Sequence, residues 1–431
     1  MADSLARHVP RHARLTLALS GGLDSVVLLH VLLGLRERHP FELQTVHIHH
    51  ALSPHADQWA DFCAQLCAAG ATGLSLHHVQ IAPGDPAGVE AAARRERRRI
   101  FAGLEADFLL TAHQQDDQAE TLMLQLMRGA GPKGLAAMAE AQQLPGWRAV
   151  QLRPLLGTSR AEVMAYAQAH GLDWVEDESN RDIRYRRNAL RLQVMPVLTS
   201  HFPAARATLA RAAELQADAA KLLDDLGQLD AAIAIVGERL DCGALTRLSL
   251  PRARNLLRYF IEQQGQPMPS ARRLNEALHQ VLDARQNASV SVRIGAADIR
   301  RFRGGVYVVP VQATPLEPVC WNGEAELRLP GLGTLQLQDA LGQGLKHSRL
   351  QGKRVVLGLR EGGERLRVHP RGPARSLKNL LQERAVAPWL RDRLPMLTCD
   401  GELVWVAGFG CHADWLAAAD EQGLVPDWRP A

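Results

Sequence analysis

Short apolar runs alternate with helix-like stretches between residues 15 and 200 of the chain. Four runs have the length and composition of buried strands, and each is followed by a segment with helical spacing: Leu15–Leu19, Gln44–Ile48, Ser75–Gln80 and Phe108–Ala112. This alternation predicts an α/β fold, with a doubly wound, mostly parallel, Rossmann-like sheet covered by helices on both faces. In such sheets, ligands bind beyond the carboxyl ends of the strands.

The pattern changes to helical spacing in an alanine-rich stretch from Phe202 to about Gln286, and strand-like alternation returns at Val290–Ile294. Beyond Pro315, short strands are predicted around a basic helical stretch at Ser376–Glu383. We therefore expect three domains. They are a catalytic α/β domain over residues 1–203, a helical middle domain over 204–312, and a small α+β domain over 313–431 that follows a proline-bearing linker.

The segment Ser20–Ser25 (S-G-G-L-D-S), which we call the elbow, lies between the strand Leu15–Leu19 and the apolar start of a helix. Adjacent glycines permit positive φ angles and a close approach to a ligand, and the first amides of the helix suit an anion. Asp24 fits a phosphate site only if a divalent cation bridges its carboxylate to the phosphates. The elbow therefore predicts Mg²⁺ and ATP, although a simple strand-to-helix turn is the alternative.

A second candidate segment is T-A-H-Q-Q-D-D-Q-A-E-T, from Thr111 to Thr121. Asp116 and Glu120 lie four residues apart and share one face of a helix, with His113 just before its first turn. Helix capping alone would explain one or two of these acids. Near ATP, they and Asp117 would hold magnesium, bind a cationic substrate or accept a proton from an attacking amine.

Composition and charge indicate an ordinary globular protein and narrow the class only slightly. The 431 residues are 46% hydrophobic and 22% charged, with a formal net charge of +4. Arginines are concentrated at positions 94–99 and 181–191, where they form either solvated helix faces or a surface for phosphates. No apolar stretch is long enough to span a membrane and no signal peptide is evident, so we expect a cytoplasmic protein. The six cysteines include no C-x-x-C pair, which argues against a zinc knuckle or a redox dithiol.

Six further segments extend the pattern, and we quote them in chain order. They are V-H-I-H-H-A-L-S from Val46, G-V-E-A-A-A-R-R-E-R from Gly88, R-G-A-G-P-K-G-L from Arg128, R-P-L-L from Arg153, D-E-S-N-R-D-I-R-Y-R-R-N-A-L-R from Asp177, and R-E-G-G-E-R from Arg360. With the elbow, which is similar to the loop of the PP-loop ATP pyrophosphatases, the chain resembles the tRNA(Ile)-lysidine synthetases. Gln114 departs from the family pattern, where a second histidine is expected.

This resemblance implies a ligase that joins free L-lysine to C2 of the wobble cytidine of a tRNA(Ile) with a CAU anticodon. The cytosine oxygen attacks the α-phosphate of ATP and releases pyrophosphate, and the lysine ε-amine then displaces AMP. Because that amine arrives as an ammonium with a pKa near about 10.4, it must lose a proton first. Asp117 or Glu120 would bind the ammonium and draw off the proton.

The resemblance also assigns roles to residues. The elbow would bind ATP through Ser20, Gly21, Gly22, Leu23, Asp24 and Ser25, and Asp24 would hold the metal. Catalytic roles are expected for Asp24, His113, Asp117, Glu120 and Arg128. Substrate contacts are expected for Glu90, Arg94, Asp116, Asn180, Asp182, Arg187, Asn188 and Lys378. For Asp177–Asn180, helix capping is the alternative. The third domain resembles a tRNA-binding module, with a basic patch at Lys346, Arg354, Arg365, Arg367, Arg371, Arg375 and Lys378. A homodimer is one possible assembly.

Two other functions remain open at this point. One is a different enzyme of the same superfamily, such as a tRNA thiolase or a glutamine-fed ligase. A thiolase would usually need paired cysteines, and no segment argues for a glutaminase nucleophile. The other is an RNA-binding protein that retains an ATP fold without turnover, against which the intact elbow and the acidic segment argue.

Overall fold

The computed structural model describes residues 1–81, 85, 88–284, 290–311 and 316–430, and for Glu90 only the backbone. The chain divides into two compact units, Met1–Asp225 and Leu226–Ala431. The predicted boundary between residues 312 and 313 lies outside the described residues, as does part of the predicted linker.

The first unit is built on a six-stranded sheet with the strand order β3-β2-β1-β4-β6-β5. Its strands are β1 (Arg14–Ala18), β2 (Glu42–His49), β3 (Gly73–His78), β4 (Phe108–Leu110), β5 (Ala141–Gln143) and β6 (Val150–Leu152). The pairings β3-β2, β2-β1, β1-β4 and β4-β6 are parallel, and only β5 is antiparallel to its neighbour. The four strands predicted from the apolar runs and the mostly parallel α/β fold are therefore confirmed.

Helices cover this sheet and continue beyond it. They are α1 (Ala2–His8), α2 (Leu23–Leu35), α3 (Ala56–Ala69), α4 (Val89–Ala102), α5 (Gln115–Leu126), α6 (Pro132–Leu135), α7 (Arg160–Ala169), α8 (Arg186–Ala189), α9 (Met195–His201) and α10 (Ala205–Ala234). A 3₁₀ turn spans Glu178–Arg181, and a π-helical turn spans Leu190–Val194. The division between the two units falls within α10.

Burial explains why β1 and α2 are so apolar. β1 pairs with strands on both sides, and Leu15 and Leu17 are 1% and 0% exposed, so the strand reads as a continuous apolar run. In α2, buried residues include Val26, Leu28 and Leu32. A helix that is apolar on most sides belongs in a core. The elbow that joins β1 to α2 is therefore set on a rigid base.

The sheet order places the two candidate segments side by side. The elbow follows β1 and the Thr111–Thr121 segment follows β4, and β1 pairs directly with β4. Since the strands are parallel, both segments leave the same edge of the sheet. The chain turns to β2 on one side of β1 and to β4 on the other, which is the switch point where α/β proteins bind ligands.

The second unit begins with helices packed on a five-stranded antiparallel sheet, β7-β8-β11-β10-β9. These elements are β7 (Ile235–Val236), β8 (Arg239–Asp241), α11 (Cys242–Arg247), α12 (Leu250–Gln263), α13 (Ala271–Asp283), β9 (Val290–Arg293), β10 (Ala297–Phe302) and β11 (Gly305–Pro310). Their shared core includes Leu256, Phe260 and Ile299. The middle region is helical as predicted, but its short strands β7 and β8 come earlier than the expected return at Val290.

The rest of the second unit is mainly β. It contains β12 (Val319–Trp321), β13 (Glu326–Leu329), β14 (Gly333–Leu341), β15 (Leu345–Lys346), α14 (His347–Leu350), β16 (Val355–Gly358), β17 (Arg365–Leu366), β18 (Arg375–Ser376), α15 (Leu377–Glu383), α16 (Pro388–Arg391), β19 (Met396–Cys399), β20 (Glu402–Val406), β21 (Gly410–Cys411) and β22 (Gln422–Pro430). The sheet orders are β12-β16-β19-β20-β21, β13-β14-β22-β15 and β17-β18. Across the described parts of both units, no helix is long and apolar enough to cross a lipid bilayer.

The core of the second unit can be tested with one helix and one type of substitution. Leu256 is 0% exposed in α12, whereas Leu250 at the start of the same helix is 41% exposed. We expect Leu256→Ala to lower the free energy of unfolding by about 2–5 kcal/mol, because it removes buried methyl groups and leaves a cavity. The control Leu250→Ala should cost less than about 1 kcal/mol. Urea unfolding measures both, and equal effects would contradict this core.

Candidate active site

The elbow is held in a conformation that glycine alone accommodates. Gly21 has a φ of +82°, and an added Cβ would lie 2.9 Å from Cγ2 of Val175 and 3.2 Å from Sγ of Cys63. The Ser20 and Ser25 hydroxyl oxygens are 3.1 Å apart, and the Ser25 hydroxyl donates to the Gly22 carbonyl at 2.9 Å. Both hydroxyls thus brace the turn. The elbow includes the first three residues of α2, where the Ser25 amide donates to the Gly22 carbonyl at 3.0 Å and the leading amides of a helix otherwise lack partners within it.

Asp24 lies in the first turn of α2 with an unusual electrostatic environment. Its side chain is 25% exposed, its Oδ2 is 3.6 Å from Nη1 of Arg160, and its Oδ1 is buried without a hydrogen-bond partner. The pKa of Asp24 is raised from 3.8 to about 6, mainly by burial and to a lesser extent by the negative charges of Asp117 and Asp116, against the opposing charges of Arg160 and Arg191. An acidic oxygen of this kind suits a cation.

The acidic segment begins α5 with a reciprocal cap. The Gln114 side chain accepts a hydrogen bond from the Asp116 amide at 3.1 Å, and the Asp117 carboxylate accepts one from the Gln114 amide at 3.0 Å. Gln114 is only 1% exposed. Where the family pattern has a histidine, this chain therefore has an amide side chain that caps α5.

Asp116 joins the two candidate segments. Its Oδ1 accepts a hydrogen bond from the Arg160 amide at 3.2 Å, and its Oδ2 pairs with the guanidinium of Arg206 in α10. Arg160 in turn reaches Asp24. The elbow and the acidic segment are therefore adjacent. Both Asp116 oxygens therefore have a donor within the protein, and the substrate contact of Asp116 stays a prediction.

Asp117 and Glu120 bind two arginines in what we call the acid–arginine cluster, formed by Asp117, Glu120, Arg187 and Arg191. Glu120 accepts from Nε of Arg187 at 2.8 Å and from Nε of Arg191 at 2.6 Å. Asp117 accepts from Nη2 of Arg187 at 2.9 Å and of Arg191 at 3.1 Å.

Exposure separates the two acids of this cluster. The Glu120 side chain is 3% exposed and the Asp117 side chain is 13% exposed. A buried carboxylate with a guanidinium on each oxygen is suited to anchoring the two arginines, while the role of Glu120 as a base stays a prediction. Asp117 is the more accessible acid of the pair.

His113 is neutral at physiological pH. Burial lowers its pKa from 6.5 to about 3, assisted by the positive charges of Arg153, Arg187, Arg97 and Arg94. Its Nδ1 lies 3.1 Å from the Thr111 hydroxyl. An imidazole this reluctant to bind a proton cannot accept one from an attacking amine near pH 7. This environment does not favour His113 as the proton acceptor, and its catalytic role stays a prediction.

The segment after Asp177 folds through its own polar groups. Asn188 is 9% exposed and donates to the carbonyls of Ser179 and Asp182 at 2.8 and 3.0 Å. The Asp182 carboxylate accepts from the Arg184 amide at 3.0 Å, and that of Asp177 accepts from the Ser179 amide at 2.8 Å. These bonds hold the 3₁₀ turn that leads into α8. Asn188 and Asp182 thus stabilise the local fold and Asn180 is exposed, and the substrate contacts of all three stay predictions.

The remaining predicted residues differ in their positions. Arg94 is exposed on α4 and contributes to the positive field at His113. Arg128 follows the end of α5, eleven residues after Asp117, which places it about 16 Å along the helix axis from the acid–arginine cluster. The catalytic role of Arg128 stays a prediction. The Glu90 side chain lies outside the described residues, and Lys378 is an exposed residue of α15 in the second unit.

Sequence reasoning missed Arg160 and Arg191 as members of this site. Arg191 ends the D-E-S-N segment that was already singled out, and the signal for Arg160 was a capping box, in which the Ser159 hydroxyl accepts from the Glu162 amide at 3.3 Å. That box predicts a helix start at Arg160, but nothing local predicts that the helix points at Asp24.

Three family models match successive parts of the chain. Residues 2–198 match the PP-loop domain, residues 240–307 the TilS substrate binding domain, and residues 355–428 the TilS substrate C-terminal domain.

Curated relatives match over nearly the whole length. The chain is 42% identical over 422 residues to the tRNA(Ile)-lysidine synthase of Nitrosomonas europaea, covering 97% of this chain and 92% of that protein. It is 44% identical over 421 residues to the tRNA(Ile)-lysidine synthase of Azoarcus sp. strain BH72, again with 97% and 92% coverage. For that of Chromobacterium violaceum the identity is 40% over 441 residues, with full coverage of both chains.

Asp24 should make stability depend on pH. Because its pKa is higher in the folded protein, about 6 against 3.8, its contribution is fully present below about pH 4 and is lost as the pH rises through 6. Asp24→Asn cannot ionise, so without divalent cations it should exceed the parent protein in stability at pH 8 by up to about 3 kcal/mol, and match it at pH 4. Urea unfolding at the two pH values measures this. An identical difference at both values, or an equal gain in the exposed control Asp173→Asn, would contradict it.

Proposed function

This chain belongs to the tRNA(Ile)-lysidine synthase family, an ATP-using ligase family that forms lysidine on tRNA(Ile), and we propose which of its residues carry the two chemical steps. In this proposal free L-lysine is joined to C2 of the wobble cytidine of a tRNA with a CAU anticodon, and ATP is converted to AMP and pyrophosphate. The observation that carries it is the contact of Arg160 with both Asp24 of the elbow and Asp116 of the acidic segment.

In the first step the cytosine oxygen forms a bond to the α-phosphorus of ATP, and the bond to the β-phosphate oxygen breaks. The amides of the elbow and of the first turn of α2 bind the phosphates, and Arg160 lies next to them. Phosphoryl transfer needs positioning and charge more than covalent help. These groups supply both.

The buried Oδ1 of Asp24 fits Mg²⁺, since it is an acidic oxygen without a protein partner. Among the residues that the structure describes, no three histidine, cysteine or acidic side chains form a metal site by themselves. The phosphates of ATP would therefore supply the other ligands, as is usual for this ion. When bound, Mg²⁺ supplies positive charge to the phosphate oxygens.

In the second step the ε-amine of lysine forms a bond to C2, and the bond between C2 and the adenylated oxygen breaks, so that AMP leaves. We assign the lysine ammonium to Asp117, the more accessible acid of the acid–arginine cluster. Glu120 keeps Arg187 and Arg191 in place, and Arg187, whose side chain is 34% exposed, is available to the lysine carboxylate. Asp117 is then the group nearest the proton that the amine must lose.

The three predicted segments divide the work in this proposal. Residues 1–203 bind ATP and lysine, residues 204–312 contact the tRNA, and residues 313–431 bind its phosphates. Within the predicted basic patch, Lys346, Arg367 and Arg375 are paired with Glu421, Asp414 and Glu383. Among the described residues, Arg354, Arg365, Arg371 and Lys378 form no ion pair, so we assign the phosphate contacts to them. A homodimer and a cytoplasmic location stay predictions.

Lysine dependence tests the central assignment. With ATP and tRNA(Ile), the enzyme should transfer radiolabelled lysine to the tRNA and release AMP and pyrophosphate. Asp117→Asn should raise the KM for lysine by about 10-fold or more, because a charge-assisted hydrogen bond contributes about 1.5–3 kcal/mol, while the KM for ATP is retained. The control Glu105→Gln, at an exposed surface pair with Arg148, should change neither. Release of pyrophosphate that does not depend on tRNA, or transfer of another amino acid, would overturn the proposal.

Salt dependence tests the basic patch. Removing the charges of Arg371 and Lys378 together should reduce the magnitude of the slope of log affinity for tRNA against log salt by about 1–2. Each phosphate contact that is lost means that about one counterion fewer is released on binding. Filter binding between 50 and 200 mM salt, about the range over which such contacts weaken, measures this. Arg328→Ala, outside the patch, serves as the control. A slope equal to that of the parent protein would mean that the patch does not hold the tRNA.

A further inference from the structure

A continuous chain of hydrogen bonds runs from a buried guanidinium to His113. Arg153 is 6% exposed, and its Nη1 donates to the Ala139 carbonyl at 2.6 Å while its Nη2 donates to Oε1 of Gln151 at 2.7 Å. Nε2 of Gln151 lies 3.2 Å from the Thr111 hydroxyl, which lies 3.1 Å from Nδ1 of His113. The pairing of β4 with β6 brings these groups together.

The direction of each bond in this chain follows from the chemistry of its members. A guanidinium only donates, so Oε1 of Gln151 must accept from Arg153. The amide nitrogen of Gln151 is then the atom that faces Thr111, and it donates to the hydroxyl oxygen. These two bonds leave no choice in the orientation of the Gln151 amide.

The same reasoning fixes the proton of His113. The Thr111 hydroxyl has one hydrogen, and its side chain has no hydrogen-bond partner in the described part of the chain besides Gln151 and His113. Because the hydroxyl hydrogen has no other acceptor among these residues, it is directed to Nδ1 of His113. In a neutral imidazole the other nitrogen then carries the proton. The hydrogen-bond chain therefore ends in an N–H donor at Nε2 of His113.

His113 follows β4 at the edge of the sheet where the elbow follows β1, and its Nε2 has no partner among the described residues. We propose that Thr111, Gln151 and Arg153 are positioning residues that keep the His113 proton on Nε2, and that His113 donates this N–H to an oxygen of the reacting phosphoryl group. This inference rests on the proposed function for the identity of that oxygen, but the position of the proton does not depend on it.

The location explains why a neutral donor is useful. Burial, and after it the positive charges of Arg153, Arg187, Arg97 and Arg94, lower the pKa of His113 and disfavour its protonation. When the C2–O bond breaks, negative charge develops on the oxygen that departs with AMP. A fixed N–H donor stabilises this charge without reorganising. Because a neutral imidazole retains its single N–H proton, it stabilises the departing oxygen without protonating it.

Gln151→Glu tests the hydrogen-bond chain, because it reverses the direction of the bonds to Thr111 and His113 while keeping the size of the side chain. The introduced carboxylate still accepts from Arg153, but it also accepts from the Thr111 hydroxyl, so Nδ1 of His113 must become the donor. Nitrogen NMR of ¹⁵N-histidine-labelled protein, without substrates, reads which ring nitrogen carries the proton. His113→Gln identifies the His113 signals by their loss, and the control is Gln142→Glu, an exposed residue opposite Gln151 across β5 and β6.

We expect the proton on Nε2 in the parent protein and in Gln142→Glu, and on Nδ1 in Gln151→Glu. A proton on Nδ1 in the parent protein, or a pattern that Gln151→Glu leaves unchanged, would overturn the positioning role. If Gln151→Glu does not fold, Thr111→Val and Thr111→Ser give the same test. The serine should retain the parent pattern and the valine should lose it.

Kinetics test the contact with the phosphoryl group. Gln151→Glu and His113→Ala should lower kcat by about 10² to 10³, the usual effect of removing one such donor, without raising the KM for lysine. His113→Gln restores an N–H near the position of Nε2 and should recover part of kcat. An unchanged kcat in Gln151→Glu, with the proton moved as expected, would overturn the contact. If the parent protein forms no lysidine, the proposed function fails, while the NMR result still decides the positioning role.

Discussion

The arrangement of the candidate active site depends on the acid–arginine cluster. It pairs two acids on α5 with two arginines that lie 67 to 74 residues later in the chain. Charges removed from water must be paired, and removing one partner of a buried pair costs about 3–5 kcal/mol. The cluster therefore holds α8 and the following π-helical turn against the start of α5. Without it, Arg187 and Arg191 would have no fixed position beside the elbow.

Positive and negative charges lie in separate parts of the candidate active site, which suits the two steps of the proposed reaction. Asp24 lies buried at one end with an oxygen that lacks a donor, and guanidiniums surround a neutral His113. The first environment favours a cation, and the second favours anionic oxygen. Arg160 lies between the elbow and Asp116, so the position of the phosphate site is tied to the start of α5. A nucleotide with its metal and a cationic amine would both find complementary charge within one site.

Stability and function oppose one another at Asp24. Its burial raises the pKa to about 6, so its ionised form destabilises the folded protein near neutral pH. A structural aspartate would normally be paired with a donor at each oxygen. Here Oδ1 of Asp24 has no donor. The nearby hydroxyls of Ser20 and Ser25 instead form hydrogen bonds within the elbow. Unfavourable burial of this kind is typical of sites that bind a ligand.

The sequence by itself determined the sheet, the elbow and the position of the acidic segment, because these depend on local patterns: apolar runs, glycines before a helix, and acids in a first turn. It also identified the family. It did not show that Glu120 binds Arg191, that Asp116 pairs with Arg206, or that Asn188 donates to the Ser179 carbonyl. Only the tertiary structure decided these pairings, because a hydrogen bond between distant segments leaves no periodic signal in the chain. The same holds for His113, whose motif does not show the burial and the neighbouring positive charges that lower its pKa.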